Sequence, residues 1–169
     1  MLPQLTKEQE NILMTYRKLN QAPLKEPGLI FLGDSIVEYF PIHELLQSPK
    51  YMVNRGVRGY RTDLLRTHLD AHVFGTELDQ IFLLIGTNDI GKEIPQKETL
   101  DNVEAVLQAI MRDFPLTKIN LISVLPVSQE ERYKQKVSIR SNKKIQDLNQ
   151  AYHCLLYTSD AADDTPCVD

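Results

Sequence analysis

The stretch that decides the fold is residues 28–40, which read Gly-Leu-Ile-Phe-Leu-Gly-Asp-Ser-Ile-Val-Glu-Tyr-Phe. The apolar, β-rich run at 29–32 predicts a buried strand, and Gly33 interrupts it. Residues from Ile36 onward predict a helix, which places Ser35 in the turn between the two. Such a turn lies at the carboxyl edge of a sheet, where open α/β sheets bind ligands. Ser35 is therefore a candidate nucleophile, and a helix-capping serine is the alternative.

Strand and helix patterns alternate along the rest of the chain. Further β-rich runs occur at 51–54, 80–85 and 118–125, and helical patterns at 6–20, 60–74, 97–114 and from about 141. At the first of these helices, Thr6 and Gln9 have the spacing of a capping box. Alternation of this kind implies βαβ crossovers and a parallel sheet. We predict one domain, a three-layer α/β/α sandwich.

Composition and charge narrow the class of protein. The chain has 169 residues and a net charge of −4. With no long basic block, it is not expected to bind nucleic acid or an anionic membrane surface. No apolar run approaches the roughly 20 residues of a membrane span. The polar N-terminus has no signal-peptide pattern, which predicts a cytoplasmic location. Cys154 and Cys167 are not in a metal-ligand spacing.

Conspicuous residues follow three successive predicted strands. They are Gly33-Asp34-Ser35, Asn54-Arg55-Gly56 and Gly86-Thr87-Asn88-Asp89. In a parallel sheet these turns converge on one edge, where they suit acyl transfer. The Ser35 hydroxyl would attack a carbonyl, and the oxyanion would receive hydrogen bonds from the Ser35 N–H, the Gly56 N–H and the Asn88 carboxamide. Taken singly, each of these residues also fits a plain turn.

These three motifs, in this order and spacing, resemble the first three blocks of the SGNH (GDSL-type) hydrolases over residues 28–153. The resemblance implies a flavodoxin-like sheet, Ser35 as the nucleophile, and Ser35 N–H, Gly56 and Asn88 as the oxyanion hole. Similar enzymes hydrolyse small esters, acetylated sugars, lysophospholipids or thioesters without a metal or cofactor. The platelet-activating-factor acetylhydrolase-like proteins are nearest in character. Gly33, Asp34, Thr87 and Asp89 would support the site, and Asp34 is expected to shape its turn.

A histidine base is missing from the pattern. The family carries it in an Asp-x-x-His block before a final helix, and none of His43, His68, His72 and His153 has an aspartate three residues earlier. His68 and His72, one turn apart on a predicted helix, are interpreted as a solvated helix face. The general base is therefore unknown, and no metal site is predicted.

Residues 154–169 differ in character from the rest of the chain. They continue no strand or helix pattern and resemble a translated cloning adapter. We expect a hydrolase-like domain at 1–153, without the last strand and helix that carry the catalytic Asp and His, and hence a catalytically defective chain. A natural divergent terminus is the alternative.

The predicted partner is a small-molecule ester, and the pattern specifies neither the acyl group nor the oligomeric state. Two alternatives remain open. One is a non-catalytic ligand-binding protein on the same scaffold. The other is an unrelated flavodoxin-like module in which Asp34 and Asp89 bind a metal or phosphate. Arg58, Tyr60 and Arg61 are expected to line the pocket, and the loop at 128–140 to cover it.

Overall fold

The computed structural model describes residues 3–21, 25–76 and 78–160, with side chains up to residue 156. Four parallel strands form one sheet in the order β2-β1-β3-β4. The strands are β1 (Leu29–Gly33), β2 (Met52–Gly56), β3 (Gln80–Leu84) and β4 (Lys118–Leu121). Gly33 is in register with Gly56 on one side and Leu84 on the other. The carboxyl ends of the first three strands therefore meet at one edge, as the sequence predicts.

Helices connect the strands. They are α1 (Lys7–Gln21), α2 (Ser35–Glu38), α3 (Ile42–Leu45), α4 (Thr62–Thr67), α5 (Thr87–Gly91), α6 (Gln96–Asp113), α7 (Lys134–Val137) and α8 (Asn142–Asp160), with short 3₁₀ turns at 69–71 and 131–133. The capping box of α1 is present. The Gln9 N–H donates to Thr6 Oγ1 at 3.2 Å, and the Thr6 N–H donates to Gln9 Oε1 at 3.0 Å. These bonds satisfy two N–H groups that the helix itself leaves unpaired.

The two faces of the sheet are covered unequally. On one face, Ile30, Leu32, Ile81 and Leu83 are buried against apolar side chains from α1, α4, α6 and α8. On the other, Phe31 and Phe82 stack with ring centroids 4.8 Å apart, and α2 and α3 contribute Val37 and Ile42. The predicted α/β/α layering is confirmed, and its second helical layer consists here of two one-turn helices.

The predicted helix over 60–74 is interrupted, which overturns one interpretation. Helix α4 ends at Thr67, and a 3₁₀ turn at residues 69–71 follows it. His72 is fully buried, with Nδ1 2.9 Å from Arg55 O and Nε2 3.1 Å from Tyr60 Oη. The prediction that His68 and His72 share a solvated helix face is wrong for His72.

Burial of His72 is expected to make the stability of the protein sensitive to acid. Desolvation lowers the pKa of His72 from 6.5 to about 4. The unfolded chain takes up this proton below about pH 6.5 and the folded protein does not, so this contribution to stability is lost as the pH falls from 6.5 towards 4. It amounts to about 3 kcal/mol. An NMR titration of the His72 ring should show a midpoint near 4, and a midpoint near 6.5 would contradict the buried, neutral ring.

The last described segments differ from their predicted bounds. Strand β4 stops at Leu121, because the Val124 N–H and C=O pair instead with the Asn149 carboxamide, at 2.8 and 3.0 Å. Helix α8 continues through residues 154–160, so the prediction that the helical pattern stops at His153 is wrong. Residues 161–169, with Cys167, lie outside the described residues. Within the described part of the chain, every helix is too short or too polar to cross a bilayer.

Candidate active site

The turn after β1 presents Ser35 as the first residue of α2. Asp34 caps this helix, with Oδ1 accepting a hydrogen bond from the Ile36 N–H at 2.8 Å. Asp34 is buried, and this burial raises the pKa of its carboxyl group. Gly33 has φ +155°, and a Cβ there would lie 2.0 Å from Leu84 O. The glycine and the aspartate thus shape the turn that carries the serine.

The end of β2 and the turn after it contact α2 directly. Asn54 Nδ2 donates to Val37 O at 2.7 Å, while Asn54 Oδ1 accepts from the Gly56 N–H at 2.9 Å. A Cβ on Gly56 would lie 2.2 Å from the Glu38 nitrogen. Only glycine permits this approach. Because the Gly56 N–H already has an acceptor, Asn54 Oδ1 would have to withdraw before Gly56 could serve an oxyanion, and that role stays a prediction.

Gly59 is a second candidate donor in the same turn, and sequence reasoning missed it. Its φ is +69°, and no acceptor contacts its N–H within the described residues. The flanking backbone is fixed, because Arg58 O accepts from Gln9 Nε2 and Tyr60 O accepts from Asn88 Nδ2, both at 2.9 Å. A free N–H therefore lies in the turn that contacts Asn88. The sequence signal that could have identified this donor is that Gly59 is the second glycine after Asn54.

The turn after β3 carries Asn88 in α5. The Asn88 carboxamide donates through Nδ2 to Tyr60 O, and its Oδ1 accepts from Arg140 Nη2 at 3.3 Å. Arg140 Nε also donates to Thr87 O at 3.0 Å. Sequence reasoning identified Asn88 and Thr87 and missed Arg140. It lies 52 residues beyond Asn88, and no motif spacing links the two.

Asp89 is buried in the same helix. Its carboxylate accepts from Thr62 Oγ1 at 2.6 Å and from the Thr62 N–H at 3.2 Å. Desolvation raises the pKa of Asp89 to about 6. Between about pH 4 and 6 the folded protein holds this proton and the unfolded chain does not. The stability that this proton contributes is therefore lost as the pH rises from about 4 to 6, the reverse of the dependence for His72. Asp89 ties α5 to α4. In the described part of the chain, no three His, Cys, Asp or Glu side chains are grouped as metal ligands would be.

A solvent-open cavity of about 420 Å³ lies beside Ser35. Its lining combines the strand-end turns with the loop at 128–140 and consists of Ser35, Thr87, Asn88, Val127, Ser128, Tyr133, Lys136, Val137 and Arg140. The predicted pocket residues Arg58, Tyr60 and Arg61 are not among them. Arg58 and Arg61 form ion pairs with Glu38 and Asp63, and Tyr60 is fully buried. That prediction from proximity in sequence is wrong.

All four histidines lie within the described residues, and none of them lines this cavity. His43 is exposed on α3 and His153 is exposed on α8, while His68 and His72 belong to the segment after α4. The structure therefore brings Ser35 and Asn88 together without a histidine that could take the serine proton.

A parallel α/β sheet with a Gly-Asp-Ser turn and a Gly-Thr-Asn-Asp turn at its carboxyl edge defines the class. The GDSL-like lipase/acylhydrolase family matches residues 31–164, and the chain belongs to it. The predicted resemblance is confirmed.

Among individual proteins, the chain is similar to a Streptococcus pneumoniae structure provisionally assigned as a platelet activating factor. The identity is 56% and the TM-score 0.88, over 90% of this chain and 71% of that one. A provisionally assigned acylhydrolase from Bacteroides fragilis shares the fold, with a TM-score of 0.71 and 20% identity over 88% and 73% of the two chains. Human platelet-activating factor acetylhydrolase IB subunit alpha2 is 31% identical over an alignment of 110 residues that covers 60% of this chain and 45% of the human protein. The chain thus spans about half the length of the curated relatives it matches.

Proposed function

We propose that Ser35 is the nucleophile of an acylhydrolase that cleaves small carboxylic esters. The observation that carries this proposal is the shared cavity, in which Ser35 and the Asn88 carboxamide line one space of about 420 Å³. A nucleophile and a neutral hydrogen-bond donor on the same space are what acyl transfer needs.

In the proposed reaction, Ser35 Oγ attacks the ester carbonyl and forms a tetrahedral oxyanion. Collapse of this intermediate expels the alcohol and leaves an acyl group on Ser35, which water then removes. Attack requires a base for the serine proton. Because no histidine lines the cavity, we propose that the 169-residue chain itself turns over esters poorly.

Three donors would surround the oxyanion. The Ser35 N–H and the second Nδ2 proton of Asn88 are two of them. The third comes from the turn after β2, either from Gly56, as the sequence predicts, or from Gly59. The Gly56 N–H contacts Asn54 Oδ1 at 2.9 Å, whereas no described acceptor contacts the Gly59 N–H, which favours Gly59.

The substrate is proposed to carry a short acyl group. The human relative is named an acetylhydrolase, and its matched region is 31% identical to this chain. Two basic side chains, Lys136 and Arg140, line the cavity, and no carboxylate does. An acetyl ester is therefore the first substrate to test.

A boronic acid tests the nucleophile without requiring turnover. Methylboronic acid and Ser35 would give a tetrahedral boronate, with a new B–Oγ bond and release of the serine proton to water. We expect ¹¹B NMR to show this tetrahedral signal with the parent chain and not with Ser35→Ala. Equal signals from both proteins would refute Ser35 as the nucleophile. So would their absence from both, when a fluorophosphonate probe also fails to label Ser35 in a form of the chain that carries an added histidine base.

A non-catalytic binding protein is the second candidate. The absence of every histidine from the cavity lining favours it for the 169-residue chain. It predicts that an ester binds in the cavity and is not hydrolysed even when a base is supplied. Ester hydrolysis by a form of the chain that carries an added histidine base separates the two functions.

A further inference from the structure

Arg140 joins the loop at 128–140 to the turn after β3. Its Nε donates to Thr87 O at 3.0 Å, and its Nη2 donates to Asn88 Oδ1 at 3.3 Å. We propose that Arg140 is a positioning residue, which holds the Asn88 carboxamide in the one orientation that leaves an Nδ2 proton for an oxyanion. This proposal rests on the function proposed for Ser35.

The contacts around Asn88 select that orientation. A carboxamide presents an acceptor on one side and donors on the other, and a guanidinium can only donate. Oδ1 faces the Arg140 donor, while Nδ2 faces the Tyr60 carbonyl at 2.9 Å. If the carboxamide turned by 180°, its Nδ2 donor would face the Arg140 donor, and its Oδ1 acceptor would face the Tyr60 carbonyl oxygen. Without Arg140, only the Tyr60 contact would favour the productive orientation.

The surrounding chain is shaped to admit the guanidinium. A Cβ on Gly91 would lie 2.3 Å from Arg140 Nη2, so the absence of a side chain there makes room. The loop is closed at its base, since Val127 and Asn142 exchange hydrogen bonds of 2.8 and 3.2 Å. Ser138 turns the chain before Arg140 with φ +57° and ψ −126°, a sparsely populated conformation that costs a non-glycine residue on the order of 1–3 kcal/mol. Three independent local features thus support the position of Arg140.

The first test measures the affinity of methylboronic acid for Ser35. We expect Arg140→Gln to weaken the adduct at least tenfold. Lys134→Gln, which removes the same charge from the same loop outside the cavity lining, should change it less than twofold. Because Arg140 acts through Asn88, adding Arg140→Gln to Asn88→Ala should weaken binding no further. A full tenfold loss in the Asn88→Ala background, or no loss in the parent background, would overturn the proposal.

Gly91→Ala provides a variant that keeps the charge. Its new methyl group displaces the flexible end of Arg140, so we expect a loss of boronate affinity in the same direction as that of Arg140→Gln. The loss should again vanish in the Asn88→Ala background. A Gly91→Ala protein that binds as tightly as the parent would contradict a role for the guanidinium position.

A second measurement is independent of the serine chemistry. Hydrogen exchange of the Asn88 Nδ2 protons, followed by NMR without any boronate, should be at least tenfold faster in Arg140→Gln than in the parent or in Lys134→Gln. Arg140→Lys, which keeps a positively charged donor group on a single nitrogen, should restore part of the protection of the Asn88 Nδ2 protons. Unchanged exchange in Arg140→Gln would overturn the positioning role. Faster exchange in a protein that forms no boronate adduct would support the positioning role and count against the function proposed for Ser35, which the fluorophosphonate probe then decides.

Discussion

Supplying a histidine base is expected to raise the kcat for p-nitrophenyl acetate by a factor on the order of 10⁶, the cost of removing the base from a serine triad. The comparison is between the 169-residue chain and a form of it that also carries an Asp-x-x-His segment from a family member. The physical reason is the lining of the cavity, which holds Ser35 and Asn88 and none of the four histidines. Stopped assays at matched protein concentrations would measure both rates.

Ser35→Ala in the extended form is the control, and it should return the rate to that of the unextended chain. The oxyanion donors alone leave a small residual rate. Rapid, Ser35-dependent hydrolysis by the 169-residue chain would show that a base is already present among its residues. An extended form that folds, binds boronate and still hydrolyses no ester would favour the non-catalytic binding protein.

Gly56→Ala is expected to lower the free energy of unfolding by about 3 kcal/mol, at the upper end for an overpacked site. The added Cβ would lie 2.2 Å from the Glu38 nitrogen and 2.8 Å from Val37 carbonyl carbon. Both contacts are with backbone, so no side-chain rotation relieves them, and α2 would have to move away from β2. Urea denaturation followed by circular dichroism would measure the difference.

Gly91→Ala is the matched control for stability. Its methyl group meets only the flexible end of Arg140, and alanine suits a helix better than glycine does. Its free energy of unfolding should stay within about 1 kcal/mol of the parent value. A Gly56→Ala protein as stable as Gly91→Ala would show that α2 does not pack on Gly56 as described.

The strands and the site edge could be predicted from sequence because their signals are local. Buried parallel strands are continuous apolar runs, so residues 29–32 and 80–85 stand out, and the turns that follow them must share an edge. The capping box at Thr6 is equally local. The family assignment depended on the same three turns, and it is confirmed by the match over residues 31–164.

The features that were missed depend on distant contacts. His72 has helical spacing from His68, but a 3₁₀ turn interrupts the helix between them, and the His72 ring is buried against Arg55 O and Tyr60 Oη. Arg140 meets Asn88 through a loop whose path no periodic pattern encodes. The Gly56 N–H is occupied by the side chain of Asn54, a residue that sequence reasoning assigned only to the motif. The Arg140 and Gly56 contacts were missed because they depend on hydrogen-bond partners, whereas the His72 error concerns where helix α4 ends.

The side chain of Gln9 connects helix α1 to the turn beside the site. It completes the cap of α1 and, through Nε2, also holds Arg58 O in the turn that contacts Asn88. Fraying of α1 would release both bonds at once, because one buried carboxamide makes them. Amide protons at the start of α1 and those of residues 57–60 should therefore open as one cooperative unit, although about 50 residues separate them. An N-terminal helix remote from Ser35 in sequence thus helps set the rigidity of the turn beside it.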